Sequence, residues 1–439
     1  MSTSSIRDRV TTRTTCVVVG GGPAGMVLGL LLARAGVQVT VLEKHADFLR
    51  DFRGDTVHPS TMTLLDDLGL FERFDALPHS KIRRAQLPAS DGTQVTVADF
   101  GRLPLRHKYI AMVPQWDFLD LLADAGQEEP TFDLRMEHEV TGVVRRDGRV
   151  VGVDYDAPQG PSRMLADLVI ACDGRWSVVR QASSLPSREL PVRFDTWWFR
   201  VPTSHALPET LLPRIGKGRV LIGIPRNGYA QIAYLGPKGT DQQLRAAGIE
   251  SFRAEIAAAL PELADDVQRV DSMDDVKHLD VRVDRLRRWH DRGVLCIGDA
   301  AHAMSPVGGV GVNLAVQDGV AAARLLAGPL LRGDLAGTPS LAREGALLRR
   351  IQRRRTLPTV VTQTMQRIMH AQLIDRVLDG RITQISPRLP DLVRRVPLLT
   401  VVPAFLVGVG VRPERAPRWA RRTASAHQPR TPLRQGISS

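Results

Sequence analysis

Cysteine is scarce in this chain of 439 residues, which contains three: Cys16, Cys172 and Cys296. They lie far apart, so the sequence has neither a redox pair nor a metal-ligand spacing. A disulfide framework is therefore excluded, and we predict buried free thiols that behave as small apolar groups. This cysteine usage is typical of the reducing cytoplasm, and we expect no bound metal.

The chain also lacks an apolar stretch near its start, because residues 1–15 are polar, and we expect no signal peptide. Its longest late apolar run, residues 396–411, is shorter than the ~20 residues of a spanning helix. Pro397 and Pro403 interrupt that run, so a transmembrane helix is excluded. Two interpretations stay open: a helix packed on the core, or an interfacial segment that makes peripheral membrane contact.

Acidic residues are fewer than basic ones, 47 against 59, which gives a formal net charge of +12. The basic residues are scattered and no nucleic-acid-binding motif is present, so we predict no nucleic-acid partner. The excess suits anionic cofactors or an anionic membrane. An arginine-rich composition alone would produce the same balance.

What the sequence does contain is a glycine-rich turn after its first apolar strand. Gly20, Gly22 and Gly25 match the G-x-G-x-x-G spacing, which allows a tight turn, close approach of a pyrophosphate, and packing of helix on strand. Glu43 ends the next strand, where an acidic side chain binds the adenosine ribose in such sites. The candidate contacts of this predicted dinucleotide site are Gly20, Gly22, Pro23, Ala24, Gly25, Glu43 and Lys44.

Two further motifs follow apolar strands later in the chain. The second motif, Asp173-Gly174, follows one of these strands. The third motif begins with Gly298-Asp299 after the other strand and continues to residues 306–313. Ligands of open α/β sheets bind outside the carboxyl ends of the strands. The three motifs in this order therefore predict one FAD site assembled from distant segments.

The distribution of apolar residues predicts an α/β fold. In it, a Rossmann-like FAD-binding domain is interleaved with an antiparallel β-sheet substrate domain and followed by a helical C-terminal segment. The predicted boundaries are 14–80, 108–187 and 286–345 for the FAD-binding module, 81–107 and 188–285 for the substrate module, and 346–439 for the helical region. Within them we expect a hairpin over 140–153 and helices over 249–259 and 313–326.

Aromatic residues cluster in the substrate module, in segments that alternate in polarity as strands do. Trp197, Trp198, Tyr229 and Tyr234 belong to this cluster. Two interpretations are equally open, because these side chains could wall an aromatic substrate pocket or form the core of the sheet. The candidate substrate contacts are Trp198, Arg200, Tyr229 and Tyr234.

Together the three motifs resemble those of the single-component FAD-dependent aromatic hydroxylases, flavin monooxygenases with the para-hydroxybenzoate hydroxylase fold, over about residues 14–330. The resemblance implies that NAD(P)H reduces bound FAD and that O2 then gives a flavin C4a-hydroperoxide. That species would hydroxylate a small aromatic substrate of phenolic or quinone-like type. Secondary metabolism or aromatic catabolism is the implied setting.

The resemblance also implies roles for individual residues. The glycine turn and Glu43 would hold the ADP part of FAD, and Asp299 would bind the ribityl chain. The other implied cofactor contacts are Asp173, Gly174 and Arg180 near the pyrophosphate and NAD(P)H, Pro306, Gly309, Gly311, Val312 and Asn313 against the isoalloxazine, and Arg53 and Gln115.

One loop should pass near the flavin, and it supplies the candidate catalytic residues Arg53, Asp55 and His58. Loop packing is the alternative role for His58. We expect His302, which follows the Gly298-Asp299 motif, to be structural.

Other functions remain as alternatives to hydroxylation. Baeyer–Villiger oxygen insertion uses the same oxygen chemistry. Flavin-dependent halogenation is disfavoured by Phe199, which breaks the tryptophan signature of halogenases, and a non-catalytic flavoprotein that binds a lipophilic aromatic is disfavoured by the intact Asp173-Gly174 motif. The choice between NADH and NADPH and the oligomeric state stay open.

Overall fold

The secondary structure belongs to the residues that this computed structural model describes, namely 10–49, 56–88, 94–204, 212–216, 218–226, 228–381 and 396–422. The strands are β1 (Val10–Val19), β2 (Val39–Leu42), β3 (Thr56–Val57), β4 (Ser80–Ile82), β5 (Arg84–Pro88), β6 (Gln94–Asp99), β7 (Ile110–Met112), β8 (Phe132–Arg135), β9 (Glu139–Arg146), β10 (Arg149–Ala157), β11 (Gly160–Ala171), β12 (Ser187–Leu190), β13 (Phe194–Pro202), β14 (Leu212–Gly216), β15 (Arg219–Arg226), β16 (Tyr229–Pro237), β17 (Lys277–Leu279), β18 (Val283–Leu286), β19 (His290–Asp291) and β20 (Val294–Cys296). The helices are α1 (Pro23–Arg34), α2 (Pro59–Leu68), α3 (Phe71–Asp75), α4 (Gln115–Gln127), α5 (Val178–Ala182), α6 (Asp241–Ala259), α7 (Val310–Leu331), α8 (Leu341–Met369), α9 (Asp375–Leu378) and α10 (Val401–Gly408).

The first sheet is parallel at its centre, where the strand order is β20-β11-β1-β2-β8. Its central strands are rich in fully buried apolar residues such as Val17, Ile170 and Leu295, as expected for strands covered on both faces. Strand β19 closes one edge in the antiparallel sense, and β9 and β10 extend β11 as an antiparallel meander. The predicted hairpin over 140–153 is confirmed by the pairing of β9 with β10.

Helix α7 is a buried helix that packs against α1 and α8. Among the described helices it is the one long and apolar enough to cross a membrane by length and composition, yet 72% of its apolar window is buried in the protein. It begins at Val310, earlier than predicted, because Gly309 takes the left-handed conformation (φ 64°) that turns the chain into the helix.

The second sheet is antiparallel, with the order β14-β15-β16-β13-β17. Its odd-numbered β13 residues, such as Trp197 and Phe199, point to the face covered by α6. That helix starts at Asp241, so the prediction of a helix confined to 249–259 is too short. Gly248 (φ 79°, ψ 169°) breaks the helical geometry in its middle, and this kink hid the first turns from the sequence pattern.

The C-terminal part is helical, and the predicted α/β class with such an ending is confirmed. Helix α10 covers an apolar cluster of the small strands through Ala404, which is fully buried. Its other side is open to solvent, with Leu398, just before the helix, 70% exposed and Val402 59% exposed. The run over 396–411 is therefore packed on the core along one face only.

Candidate functional site

The three motif segments meet at the carboxyl edge of the first sheet. The Gly20 N–H donates to the Leu42 carbonyl (2.8 Å), and the Cys172 N–H donates to the Val19 carbonyl (2.7 Å). The Ile297 N–H donates to Ala171 at 3.0 Å, which brings the third motif beside the second. Segments far apart in the chain therefore form one continuous edge, the position at which open α/β sheets bind ligands.

Glu43 anchors the glycine turn. Its carboxylate is buried and accepts the Gly21 N–H at 2.9 Å through Oε2 and the His45 N–H at 3.1 Å through Oε1. The acidic side chain predicted to bind the ribose therefore lies against the turn. Lys44, the next residue, is exposed to solvent.

Two glycines of the turn differ in the space around them. A Cβ on Gly25 would lie 2.1 Å from the Gly20 carbonyl oxygen, so this glycine is required by the packing of helix on strand. A Cβ on Gly22 would meet no described atom within 4 Å, and its backbone is ordinary extended chain (φ −72°, ψ −179°). Gly22 therefore borders open space at the start of α1. Helix α1 begins without a side-chain cap, so its first N–H groups are available to an anion.

The first turn of α1 also faces the third motif. Pro23 stands at the first helical position, where its missing N–H costs nothing. Ala24 is buried, and a Cβ on Gly298 would lie 3.2 Å from its methyl carbon. Gln115, the first residue of α4, is half-buried. These contacts draw the first and third motifs close together, as the hypothesis of a shared FAD site requires.

The second motif contains a buried carboxylate that is only partly satisfied. Asp173 accepts the Val179 N–H at 3.2 Å through Oδ2, while its buried Oδ1 has no hydrogen-bond partner among the described residues. Burial raises the pKa of Asp173, although bonds from Ser177 and nearby backbone N–H groups act against the rise. An unsatisfied buried oxygen of this kind marks a position where a ligand hydroxyl or an ordered water is needed.

Arg180 forms a two-pronged ion pair with Asp284 on β18, with nitrogen–oxygen distances of 2.9 and 3.3 Å, and both side chains are nearly buried. Arg180 therefore links the second motif to β18, and its contact with the cofactor stays a prediction. Gly174, beside it, takes the left-handed conformation (φ 79°) that the turn requires.

Asp299 is the most accessible carboxylate of the three motifs, with its side chain 32% exposed. Arg175 lies 3.6 Å from its Oδ2, and the side chain stands on a short 3-10 turn directly after β20. Its oxygens can therefore accept hydrogen bonds from ligand hydroxyls at the sheet edge.

Between Pro306 and Asn313 the third motif is joined to the β3–α2 segment by side-chain hydrogen bonds. The Thr56 hydroxyl donates to the Gly309 carbonyl at 2.8 Å. The hydroxyls of Ser60 and Thr61 both donate to Asn313 Oδ1 at 2.8 Å. We call this junction, residues 56–61 with 308–313, the seam.

The hydrogen bonds of the seam limit the cofactor contacts that its residues can make. Asn313 was predicted to contact the isoalloxazine. Its side-chain oxygen is engaged by Ser60 and Thr61, so such a contact would come from its side-chain NH2 group or its main chain. Gly311 and Val312 lie in the uncapped first turn of α7 together with Val310. Sequence reasoning did not single out Ser60 and Thr61, although two adjacent hydroxyl residues after His58-Pro59 were a usable signal.

His58 lies inside the seam and is fully buried. Neither ring nitrogen has a hydrogen-bond partner of ordinary geometry among the described residues. Burial lowers the pKa of His58 to about 4, while backbone groups of Gly308 and Thr56 act weakly against that shift. The imidazole is therefore neutral at pH 7 and has unused hydrogen-bonding capacity. Arg53 and Asp55, the other two candidates of this loop, lie outside the described residues.

The predicted substrate contacts divide between the two faces of the second sheet. Trp198 is half-buried on the face that looks away from α6, where it packs against two apolar clusters. Arg200 follows on that face, with its guanidinium 5.5 Å from the Trp116 ring and 5.2 Å from the Tyr229 ring. Tyr234 lies on the opposite face, buried against α6 with Trp197. The structure therefore gives Tyr234 the core role that was the alternative for it.

A second buried polar group, which the sequence did not reveal, supports the third motif from behind. Asp318 accepts from His302 Nε2 at 2.6 Å and from Arg355 Nε at 2.7 Å, and all three side chains are buried. The Gly298 N–H also donates to Asp318, at 3.1 Å. His302 is therefore structural, as expected. No local pattern could reveal its partners, because they come from two different helices.

Comparison with known proteins agrees with this site. The family profile described as "FAD binding domain" matches residues 13–338. The chain therefore belongs to the FAD-binding-domain family, and it is an FAD-dependent monooxygenase of the aromatic hydroxylase class.

Among individual relatives, the chain is 33% identical over 386 residues to the 6-methylpretetramide 4-monooxygenase of Streptomyces rimosus, covering 87% of this chain and 88% of that one. It is 31% identical to the 12-dehydrotetracycline 5-monooxygenase/anhydrotetracycline 6-monooxygenase of the same species, covering 69% of this chain and 60% of that one. The solved anhydrotetracycline hydroxylase of Streptomyces rimosus superposes with a TM-score of 0.70 at 25% identity, over 90% of this chain and 76% of that one.

Proposed function

We propose that this monooxygenase hydroxylates a polycyclic aromatic substrate of polyketide type. Two relatives with more than 30% identity are named for pretetramide and tetracycline intermediates, and the pretetramide enzyme is matched along most of its length. A relative at 26% identity, from Pseudomonas, is named for the single-ring substrate para-nitrophenol. The more similar relatives therefore favour fused rings.

One structural observation carries the proposed location of the substrate. Trp198 and Ile222 from the second sheet and Val307 from the third motif all pack against the same apolar cluster. The sheet face and the loop of the third motif therefore pack against the same cluster, which puts aromatic and aliphatic side chains beside that motif. Apolar walls with a few polar groups are what an aromatic ligand requires.

We assign the FAD contacts to the residues at the sheet edge. Gly22 and the uncapped start of α1 would hold the pyrophosphate, Glu43 the ribose, and Asp299 the ribityl hydroxyls. The uncapped first turn of α7 would face the electron-rich edge of the flavin with its N–H groups. Bound FAD supplies oxygen-transfer chemistry, with NAD(P)H as the reductant and O2 as the oxygen source.

The remaining residues of the seam and of the sheet face would position the substrate and exclude water, and they would not take part in the reaction themselves. Neutral His58 can donate one hydrogen bond and accept another without introducing a charge beside the reacting ring. The Trp198 face would hold the aromatic substrate and keep water away. Arg200, between Trp116 and Tyr229, would mark the polar end of the pocket.

Halogenation has little support beside this proposal. The flavin-dependent brominase and the chondrochloren halogenase that superpose on the chain are 17–19% identical, which shows a shared fold alone. Phe199, which breaks the tryptophan signature of halogenases, is fully buried against α6. Baeyer–Villiger insertion and a non-catalytic binding role stay as outcomes that the experiment below would reveal.

The test is NAD(P)H oxidation by the purified FAD-bound protein in air, with fused-ring phenols compared with single-ring phenols. We expect stimulation by the fused-ring compounds and a hydroxylated product that carries one atom from 18O2. A ring-expanded ester would instead indicate Baeyer–Villiger insertion. Flavin that no combination of nucleotide and aromatic can reduce would contradict the proposed monooxygenase reaction.

Peripheral membrane contact through residues 396–411 also remains a proposal. The exposed apolar side chains Leu398, Val402 and Phe405 support it, since they suit the interface of a bilayer. Sedimentation with anionic vesicles of the full chain and of its Leu398→Glu/Val402→Glu variant tests the idea. Equal recovery of both proteins with the vesicles would remove it.

A further inference from the structure

Three arginines converge on a surface cleft that the motifs do not explain. The cleft has a volume of about 390 Å³ and is lined by Arg188, Arg285, Leu286, Arg287, Gln352 and Thr356. Arg188 and Arg285 face each other as paired residues of β12 and β18, and Gln352 and Thr356 come from α8. We call it the arginine cleft.

The positive charge of the arginine cleft is uncompensated. Among the described residues, none of its three guanidiniums forms an ion pair with a carboxylate, and Arg285 donates only to the Gln363 side chain, at 3.3 Å. Burial and then the charge of Arg188 lower the pKa of Arg285. Most other arginines near motifs are paired, as Arg180 is with Asp284. Gathering like charges without a counter-charge is unfavourable, so an anion is expected there.

The arginine cleft is attached to both the second and the third motif. Helix α5 of the second motif leads directly into β12. Strand β18 is bonded to the third motif, because the Leu286 N–H donates to Ala301 at 2.8 Å and the Asp284 N–H to Ala303 at 3.2 Å. Gln363 donates to the carbonyls of Asp284 and Ala303 and holds the same strands together. The charged surface is therefore rigidly connected to the proposed FAD edge.

We propose that the arginine cleft binds the phosphate groups of the reductant, and that NADPH is therefore preferred over NADH. The inference rests on the proposed function, which requires an anionic dinucleotide to arrive and leave in each cycle. The chain has one G-x-G-x-x-G turn after a strand, and the FAD assignment uses it.

An exposed cleft suits this transient ligand. Arg188 and Arg287 are solvent-exposed, so a nucleotide can dissociate after it has delivered its hydride. Guanidiniums match phosphate through two parallel hydrogen bonds. The 2′-phosphate of NADPH adds negative charge that NADH lacks. Three guanidiniums without a counter-charge should therefore bind NADPH more tightly than NADH.

The test is the double variant Arg188→Ala/Arg287→Ala, which leaves the bonded Arg285 in place. Its matched control is Arg350→Ala/Arg353→Ala, two exposed residues of α8 outside the cleft that remove the same charge. Binding of NADP+ to the oxidised FAD-bound protein is measured by calorimetry, and anaerobic flavin reduction is followed with NADPH and NADH. Adenosine 2′-monophosphate and inorganic phosphate serve as competing probes.

We expect the cleft variant to weaken NADP+ binding and raise the KM for NADPH by about tenfold or more, which corresponds to about 1.4 kcal/mol. Its kcat at saturation and its FAD content should stay normal. A larger effect on NADPH than on NADH assigns the 2′-phosphate to the cleft, and an equal effect on both nucleotides would overturn the inferred preference for NADPH. Competition by inorganic phosphate alone, without competition by the adenosine nucleotide, would overturn the assignment to NADPH.

Equal nucleotide affinities in the wild type, the cleft variant and the control would overturn the proposal. So would equal losses in the cleft variant and the control, because these would report net charge alone. Failure of the proposed function would give a different result, because neither nucleotide would then reduce the wild-type flavin. The NADP+ affinities of the wild type and the variants would still show whether the arginine cleft binds the nucleotide.

Discussion

Two buried histidines lie near the two ends of the third motif, and their surroundings differ sharply. His302 binds Asp318, which also binds Arg355, so that the group is held by a network of charges inside the protein. His58 is equally buried, yet neither of its ring nitrogens has an ordinary hydrogen-bond partner in the described part of the chain. The Asp318 group is held by pairs within the protein, although His302 Nδ1 and Arg355 Nη2 also lack a partner among the described residues. At His58, both ring nitrogens lack one.

This difference separates structural from functional polar groups. Buried polar atoms are normally paired, so a pairing made wholly by protein atoms indicates a structural role. A buried polar group such as His58, which is unpaired among the described residues and lies beside the proposed cofactor edge, is a candidate for a ligand contact. Gly25 and Gly22 differ in the space around them, because Gly25 is closely surrounded by neighbours and Gly22 borders open space.

The largest expected effect comes from breaking the His302 region with Asp318→Asn. Removing this carboxylate takes away the nearer counter-charge of Arg355, which is fully buried, and leaves Glu414, 3.9 Å from its Nη1. Loss of one partner of a buried pair costs about 3–5 kcal/mol, and because Glu414 remains we expect the free energy of unfolding in urea to fall by no more than that amount. The control is Asp334→Asn, which removes an exposed pair with Arg332 and should cost no more than ~1 kcal/mol. Comparable losses for both variants would erase the contrast between the regions.

The same network predicts an acid dependence. Burial alone would raise the pKa of Asp318, but its ion pairs with His302 and Arg355 hold the pKa below its usual value. A carboxylate with a depressed native pKa stabilises the fold above its unfolded pKa of ~3.9. That contribution is lost as the pH falls below about 4, so the wild type should lose more stability than Asp318→Asn in this range.

The glycine contrast is tested by Gly22→Asp beside Gly25→Ala. Aspartate at position 22 has room, suits its backbone, and can cap α1, so the apoprotein should be as stable as the wild type or slightly more stable. Its carboxylate would face the proposed pyrophosphate, and we expect FAD affinity to fall by about 100-fold or more, equivalent to ~2.8 kcal/mol. Gly25→Ala should instead lower the free energy of unfolding by about 1–3 kcal/mol through overpacking. FAD titration of both apoproteins tests this prediction. Normal flavin binding by Gly22→Asp would refute the placement of the pyrophosphate beside Gly22.

The variant His58→Leu tests the role of the buried histidine in the seam. Removing an unpaired buried polar group should leave the apoprotein about 1 kcal/mol more stable, whereas His302→Leu should destabilise it. We also expect His58→Leu to divert NADPH oxidation from hydroxylated product to hydrogen peroxide, because the proposed donor to flavin or substrate is gone. Unchanged coupling, or a clear loss of apoprotein stability, would return His58 to a packing role.

His58 also predicts the direction of a pH effect. Its native pKa is lowered to about 4 by burial, with backbone groups of Gly308 and Thr56 acting against the shift. Between about pH 6.5, the unfolded value, and about pH 4, only the unfolded chain binds the proton. Native stability should therefore fall as the pH is lowered through this window. The fall should be smaller in His58→Leu, in which His290 and His370 still contribute in the same sense.

Local motifs predicted the sheet edge well because they encode backbone geometry. The G-x-G-x-x-G turn, Glu43 at the end of β2 and Asp299 after β20 stand where the sequence indicated, since neighbouring residues determine strand ends and turns. The α/β class followed for the same reason. Roles assigned to these residues remain predictions until the variants above are measured.

Partners from distant segments could not be predicted. Arg180 pairs with Asp284, 104 residues away, and Asn313 is engaged by hydroxyls more than 250 residues earlier. Alternation along β13 does put Trp197 and Trp198 on opposite faces. Which face α6 covers, however, is decided by tertiary packing that no local pattern contains.

The smallest expected effect concerns the seam itself, and it compares two threonine hydroxyls. Thr56 donates across the seam to the Gly309 carbonyl at 2.8 Å, and Thr63 donates within α2 to the Pro59 carbonyl, also at 2.8 Å. Each bond should contribute about 1 kcal/mol at most. Thr56→Val should therefore weaken FAD binding several-fold, because Gly309 precedes the turn proposed to face the flavin.

Thr63→Val removes a bond of the same kind and length without touching that turn, so FAD affinity should stay at the wild-type value. Equal FAD affinities for the two variants, measured by fluorescence titration, would show that the seam only joins two segments. A loss confined to Thr56→Val would show that the hydrogen bond from Thr56 to Gly309 holds the seam in the shape that FAD binding requires.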